Sequence, residues 1–150
     1  MSSVEHNYEV SVAWLADRMG VMTSPELTNS VEVATPPQFP KGMEGIWSPE
    51  HLFVAAVNSC LMTTFLAIAE NSKLEYTSFK SKAIGKLEIV DGKYMMSEVT
   101  LLPEVEISNE QQKERVERVL QKSEANCLIS NSVKSKINFQ PIIKITNLIT

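Results

Sequence analysis

Cys60 and Cys127 are the only two cysteines in the chain. They lie 67 residues apart and form no Cys-x-x-Cys pair, and the two histidines, His6 and His51, complete no zinc spacing with them. Two readings are open. Free cysteines often serve as small core hydrophobes. Alternatively they work as a redox pair, in which one sulfur must be a thiolate, the nucleophilic form. Cys60 falls about three turns inside a predicted helix, where the positive helix end lends it little. A cation is then the expected stabiliser. Of the three arginines, Arg115 and Arg118 fall on a charged helical face. Arg18 lies in a turn between strands, either as a site residue or simply exposed. Glu50 can hold an arginine through two parallel hydrogen bonds, or act only as helix-terminal charge. His51 is a poor candidate base, because its ring belongs at the helix start and far from its own Cys60. Phe39, Met43 and Trp47 either line an apolar pocket beside the helix start or pack as loop residues on the core; the latter is preferred.

Spacing adds a constraint. Glu50 and Cys60 are ten residues apart, about 15 Å along a helix axis. One straight helix cannot bring both to one site. Either the helix breaks, or Glu50 serves the Cys60 of a second chain, which gives a two-fold dimer with two composite sites.

The elements that must position these residues are legible from periodicity. Tyr8, Val10, Val12 and Trp14 alternate with Glu9, Ser11 and Ala13, the pattern of a half-buried strand. A turn at 17–20 and short strands around Val21 and over 31–33 follow. Residues 34–45 hold three prolines and two glycines and form a loop. Ser48-Pro49-Glu50 then starts a helix: Ser48 caps, Pro49 suits the first helical position, and Glu50 favours the positive end. The helix runs to about Asn71 and is apolar nearly all round. Such a helix is buried or spans a membrane. Asn58, Ser59, Thr63 and Thr64 interrupt it and no basic residues flank its start, so a core helix wrapped by sheet is expected. Strands over 74–90 and 93–107 are joined by Asp91-Gly92, a hairpin pair. Ser108 to Gln111 has capping-box spacing for a second helix, ending before Cys127. A short helical turn within 128–136 and a last strand from Ile142 to Leu148 complete the order. Strands and helices are grouped, so the class is α+β with a mostly antiparallel sheet.

The 150 residues suit one domain over 1–150 with its own core. Hydrophobic residues make up 43% and charged residues 21%, which argues against a disordered chain. The net charge of −4 and the scattered basic residues argue against nucleic acid as a partner. The N-terminal stretch has no basic-then-apolar layout, so a cytoplasmic location and no membrane partner are expected.

At the cysteine helix the chain resembles a known family. Ser48-Pro-Glu-His-Leu-Phe-Val-Ala-Ala-Val-Asn-Ser-Cys60 is similar to the helix motif of the OsmC/Ohr proteins, the osmotically inducible and organic hydroperoxide resistance proteins. There a Pro-Glu pair opens a central helix and a reactive cysteine follows ten residues after the glutamate. Residues 61–70 resemble an OsmC-like branch. The Pro-rich loop, the Asp91-Gly92 hairpin and the second cysteine after a helix also fit. The resemblance implies an intertwined α+β homodimer, with a mostly antiparallel sheet wrapped around a long buried central helix. It implies a thiol-dependent peroxidase in which Cys60 attacks the peroxide and becomes a sulfenic acid, and Cys127 condenses with it to a disulfide. An external dithiol, of lipoyl type in the family, then reduces that disulfide. Arg18 would stabilise the Cys60 thiolate and Glu50 would orient Arg18. Two departures stand out: Cys127-Leu128 where the hydroperoxide reductases tend to have Cys-Pro, and Ala16-Asp17 where glycines are common.

The leading expectation is therefore a cytoplasmic dimeric peroxidase for organic hydroperoxides. It would have composite sites made of Cys60, Cys127, Arg18 and Glu50, an external dithiol reductant, and no metal or bound cofactor. Organic rather than hydrogen peroxide is expected because Phe53, Val57, Leu61 and Met62 give the cysteine helix an apolar surround. The rival from another class is a non-catalytic module holding a small apolar ligand, with the cysteines inert in the core. A third reading is a structural or stress-induced protein.

Overall fold

The computed structural model describes residues 4–146. The chain divides into two compact units, the first ending at Leu52 and the second beginning at Phe53. The first unit holds an antiparallel sheet of β1 (Ser11–Ala16), β2 (Met19–Thr23) and β3 (Val31–Ala34) in that order. The tight turn at Asp17 and Arg18 joins β1 to β2, and Asp17 adopts a φ of 50°. Trp14 Nε1 donates to the Asp17 carbonyl at 3.0 Å.

The alternation in the first strand predicts one buried face, and the structure does not provide it. All six residues of β1 are exposed, Val12 at 69% and Trp14 at 77%. Tyr8 and Val10 precede the strand and are exposed as well. A period of two buries a face only where another layer packs on it, and a three-stranded sheet does not supply one to itself.

The loop at 35–46 is folded by backbone hydrogen bonds, from Phe39 N–H to the Pro36 carbonyl at 3.1 Å and from Met43 N–H to the Thr35 carbonyl at 2.8 Å. It leads to helix α1 (Pro49–Asn71). The start is capped as the sequence predicts: Ser48 is fully buried and its hydroxyl accepts from the His51 N–H at 3.1 Å.

The second unit is built on a long hairpin of β4 (Ser78–Val90) and β5 (Lys93–Ile107). Asp91 and Gly92 turn it with φ values of 50° and 80°, the positive pair that a two-residue turn matching strand twist requires. After β5, Asn109 caps a short 3-10 turn over Glu110–Gln112, accepting from Gln111 N–H at 2.9 Å. Helix α2 (Lys113–Ala125) follows. The cap is therefore one residue later than the Ser108 expected, because β5 continues through Ile107, paired with Ile145. Asparagine caps as well as serine.

Two short strands close the sheet, β6 (Lys136–Phe139) and β7 (Ile142–Ile145). Both pair parallel with β5, while the long β4–β5 ladder and the pairings of the first sheet are antiparallel, so the sheets are mostly antiparallel as expected. The parallel pairs follow from α2, which carries the chain back along the sheet, so the returning strands run with β5. Pro141, which has no N–H to give the ladder, separates the two strands. Asn147 and Leu148, placed in the last strand by periodicity, lie outside the described residues.

The α+β class is as expected, with helix α1 lying against a sheet. Val57, Leu61, Phe65 and Ala69 are its buried residues, every fourth position and so one face. Val57 and Leu61 cluster with Val99 and Leu101 of β5. Phe65 and Ala69 cluster with Val105 and Ile107 of β5 and with Val116, Val119 and Leu120 of α2. Phe65 stacks on Phe79 with centroids 4.7 Å apart and meets Tyr76 edge-on at 5.3 Å. Burial on every side is not found in the single chain: Met62 and Leu66 are each 39% exposed.

Gly85 marks the closest approach of sheet to helix. A Cβ there would come within 2.4 Å of Val54 Cγ2 and 2.7 Å of Met96 Cε. Met96 can swing away, but Val54 is β-branched and stiff on the helix. Gly85→Ala is expected to cost about 1–3 kcal/mol, read as a lower urea midpoint at unchanged slope. An unchanged midpoint would show that helix and sheet part freely at this point.

Candidate active site

Cys60 sits on α1, half-buried, with Thr64 one turn on and its hydroxyl 3.9 Å from the sulfur. Cys127 is fully buried, just past the end of α2. Its N–H reaches the Glu124 carbonyl at 3.3 Å, and its carbonyl accepts from Asn131 N–H at 3.0 Å. The chain thus curls into a tight turn at 127–131 that runs into a 3-10 turn over Ser130–Ser132. Inside the curl the Ser130 hydroxyl donates to Cys127 Sγ at 3.2 Å, and the Val57 carbonyl of α1 lies 4.0 Å from the same sulfur.

Both cysteines are free thiols, and the fold brings them together. Burial pushes the Cys60 thiol up. Hydrogen bonds from the Ile129 backbone, the Cys127 thiol, the Thr64 hydroxyl and the Leu128 backbone outweigh it and hold Cys60 below the ordinary 9.0. Cys127 moves the opposite way. Burial is the main cause and the Cys60 sulfur adds to it, against a downward pull from the Ser130 hydroxyl and backbone. Each hydrogen bond that stabilises an anion favours the ionised form, and a neighbouring anion opposes it. The first proton to leave the pair therefore leaves mainly from Cys60, and Cys127 keeps its own. The product is a half-exposed thiolate facing a buried thiol. That arrangement suits nucleophilic attack followed by disulfide closure.

The pairing of Cys60 with Cys127 agrees with the redox reading of the sequence. The sequence reading looked to a cation as the stabiliser; within the second unit, four neutral groups lower the Cys60 thiol. The sequence reading missed Thr64, Leu128, Ile129 and Ser130. Thr64 was legible, since it lies one turn from Cys60 on the same helix face. The backbone donors were not, because they depend on how the chain curls after α2. The departure at Cys127-Leu128 gains a physical meaning here. Proline has no N–H, whereas Leu128 offers one to Cys60 while its side chain stands 65% exposed.

Other expectations are corrected or placed. Val57 and Leu61 point into the core cluster with β5, so they do not provide the apolar surround expected for a peroxide; Phe53 is half-buried and Met62 is exposed. In the first unit, Arg18 and Glu50 line one shallow hollow of about 520 Å³ with Trp14 and Phe39. Arg18 is exposed, and no ion pair joins it to Glu50 among the described residues. Glu50 Oε1 is buried without a hydrogen-bond partner. Trp47 and His51 flank a separate hollow with Gly45 and Ile46. The His51 ring is tied back to the Ser48 hydroxyl through Nδ1 at 2.6 Å, a helix-start role that agrees with its dismissal as a base. Met43 is half-buried in the loop.

Residues 42–141 match the OsmC-like protein family. The chain belongs to that family. Among curated relatives, the uncharacterized protein YmaD of Bacillus subtilis (strain 168) is 22% identical over 144 residues, covering 91% of this chain and 92% of the relative. Among solved structures, an OsmC-like protein of unknown function from Vibrio cholerae O1 biovar eltor superposes with a TM-score of 0.83 at 24% identity, covering 92% of this chain and all of the other. The organic hydroperoxide resistance protein OhrB of Bacillus subtilis is similar with a TM-score of 0.68 at 17% identity, covering 93% and 98%. At these identities the structural likenesses speak for the OsmC-like fold.

The site geometry makes a labelling prediction. With limiting iodoacetamide, Cys60 should be alkylated and Cys127 spared, and the half-maximal rate should fall at a pH below that of an ordinary thiol. Thr64→Val should move that midpoint upward. Equal labelling of both cysteines, or a midpoint above the ordinary value, would contradict the geometry.

Proposed function

We propose that this OsmC-like protein is a thiol-dependent peroxidase that reduces organic hydroperoxides. The observation that carries the reading is a half-buried Cys60 on α1 facing the buried Cys127 after α2, with the Cys60 thiol held below its ordinary value and that of Cys127 pushed up by burial. Family membership supports it, as do similar structures described as organic hydroperoxide resistance proteins.

The reaction runs in three balanced steps. The Cys60 thiolate attacks one peroxide oxygen, the O–O bond breaks, and the alcohol leaves with a proton. Cys60 is then a sulfenic acid. The Cys127 sulfur attacks that sulfur, the S–S bond forms, and the oxygen leaves as water. An external dithiol reduces the disulfide by two exchanges and is itself oxidised. A small dithiol of lipoyl type is the proposed reductant, no bound cofactor takes part, and the cytoplasm is the proposed compartment.

The working form is proposed to be a homodimer. Glu50 and Cys60 lie on one unbroken helix, ten residues apart, about 15 Å along its axis. Glu50 and its neighbour in the hollow, Arg18, would therefore complete the Cys60 site of a second copy. The exposed apolar residues of β1 and those of α1, Met62 and Leu66, are the surface such a copy would cover. In that site the Arg18 guanidinium would add a charge to the neutral donors around Cys60, and Glu50 would orient it.

The direct test mixes reduced protein with one equivalent of cumene hydroperoxide, then counts free thiols and takes an intact mass. Rapid loss of both thiols, with a mass lower by two hydrogen atoms, is expected. Two unchanged thiols after long exposure would leave the non-catalytic binding module in place of the peroxidase. A second experiment addresses the dimer. Arg18→Ala should slow alkylation of Cys60, and reduced wild-type protein should elute as a dimer. A monomer with an unchanged Arg18→Ala rate would remove Arg18 and Glu50 from the site.

A further inference from the structure

Hydroxyls near the cysteines, buried as at Ser123 or exposed as at Ser132 and Thr63, mostly bond back to the carbonyl of the preceding turn. Ser123 donates to Val119 O at 2.6 Å, Ser132 to Leu128 O at 2.7 Å and Thr63 to Cys60 O at 3.1 Å. Ser130 is different. It is 8% exposed, and its hydroxyl donates instead to Cys127 Sγ at 3.2 Å. Sulfur is a weak acceptor when protonated and a far better one as an anion. A buried donor aimed at a thiol is thus best matched once that thiol has lost its proton.

We propose that Ser130 is the positioning residue of the resolving thiol: its hydroxyl holds Cys127 Sγ toward Cys60 and carries the negative charge when Cys127 attacks the Cys60 sulfenic acid. The inference rests on the peroxidase reading for its place in the reaction. In the reduced protein the Cys127 thiol donates to the Val57 carbonyl at 4.0 Å, Ser130 donates to Cys127 at 3.2 Å, and the Cys60 sulfur lies close enough to oppose ionisation of Cys127. Once Cys60 has become a sulfenic acid, its negative charge is gone and no longer opposes ionisation of Cys127. The Cys127 proton leaves to water, Ser130 becomes the donor to a thiolate, and that thiolate displaces the sulfenic oxygen as hydroxide. The liberated proton balances the hydroxide, and the net product is the disulfide and water.

Loss of the hydroxyl removes a stabiliser of the anion but leaves no polar atom unsatisfied, because sulfur does not require a partner. Ser130→Ala should therefore fold with unchanged circular dichroism. One hydrogen bond to a charged group is worth about a factor of ten in thiolate population. A more basic sulfur is also a better nucleophile, so near neutral pH the resolving rate should fall by about three- to fourfold. The variant should catch up with wild type as pH rises.

The experiment has two arms. In the first, Cys60→Ala protein is titrated by thiolate absorbance at 240 nm, which reports Cys127 alone. Adding Ser130→Ala should move the titration to higher pH, and Ser130→Thr, which keeps the hydroxyl, should not. An unmoved titration overturns the inference whether or not the protein reduces peroxides. In the second arm, wild type and Ser130→Ala are mixed with cumene hydroperoxide in the presence of dimedone. The variant should form the Cys60 sulfenic acid at the wild-type rate and accumulate the dimedone adduct, with Ser130→Thr restoring disulfide formation. Equal disulfide rates and pH profiles in wild type and variant overturn the role of Ser130 while leaving the peroxidase intact. Failure of wild type itself to react overturns the peroxidase reading and with it the place of Ser130 in the reaction, and the first arm still decides whether Ser130 sets the acidity of Cys127.

Discussion

The approach of the Cys127 sulfur to the Cys60 sulfur is the contact on which the chemistry depends. The two sulfurs come from separate segments, α1 and the turn after α2, and they meet only because other parts of the chain hold those segments in place. Val57 and Leu61, on the turns of α1 flanking Cys60, are pinned to Val99 and Leu101 of β5. Val116, Val119 and Leu120 pin α2 to Phe65 and Ala69 of the same helix and to the far end of β5. Thus β5 is the common reference against which both sulfur-bearing segments are placed. The half-buried Ile129 of the curl after Cys127 packs on the first of these clusters, so the residue whose backbone approaches Cys60 is also anchored in the core. A cavity made in either cluster would move one sulfur relative to the other before it unfolded the chain.

Within the second unit the acidity of this pair is set by geometry. The groups that lower Cys60 there are two backbone groups, a hydroxyl and a thiol, all neutral. Fixed dipoles of this kind act on an anion without themselves paying the large desolvation penalty of a buried cation. They also leave the sulfur half-exposed, as an attacking group must be. The same curl of chain that acidifies Cys60 buries Cys127 and leaves its proton in place. One turn thereby creates both the nucleophile and its partner, and the division of roles follows from which sulfur receives the donors.

Much of this was legible in the sequence, and the failures share a cause. The capped start of α1 at Ser48-Pro49-Glu50 and the Asp91-Gly92 turn are local chemistry, and local chemistry reads well. Cys60 on the long helix and Cys127 after the second helix were placed for the same reason. The parallel pairing of β6 and β7, the exposure of β1 and the single buried stripe of α1 depend on what lies across from each element, which periodicity does not say. At the site the sequence reading looked only to charged side chains for a stabiliser, while the groups that lower Cys60 within the second unit include the backbone of Leu128 and Ile129. Backbone N–H groups are present at almost every residue, so their role is set by conformation and leaves no mark in composition.

The central claim is that the two thiols titrate apart, with Cys60 first. Cysteine labelled with carbon-13 at Cβ gives one signal for each residue, and each signal shifts as its own sulfur ionises. Followed against pH in the reduced protein, the Cys60 signal should move below the ordinary thiol value and the Cys127 signal above it, and the gap should narrow in Thr64→Val. Signals that move together, or Cys127 moving before Cys60, would contradict the account.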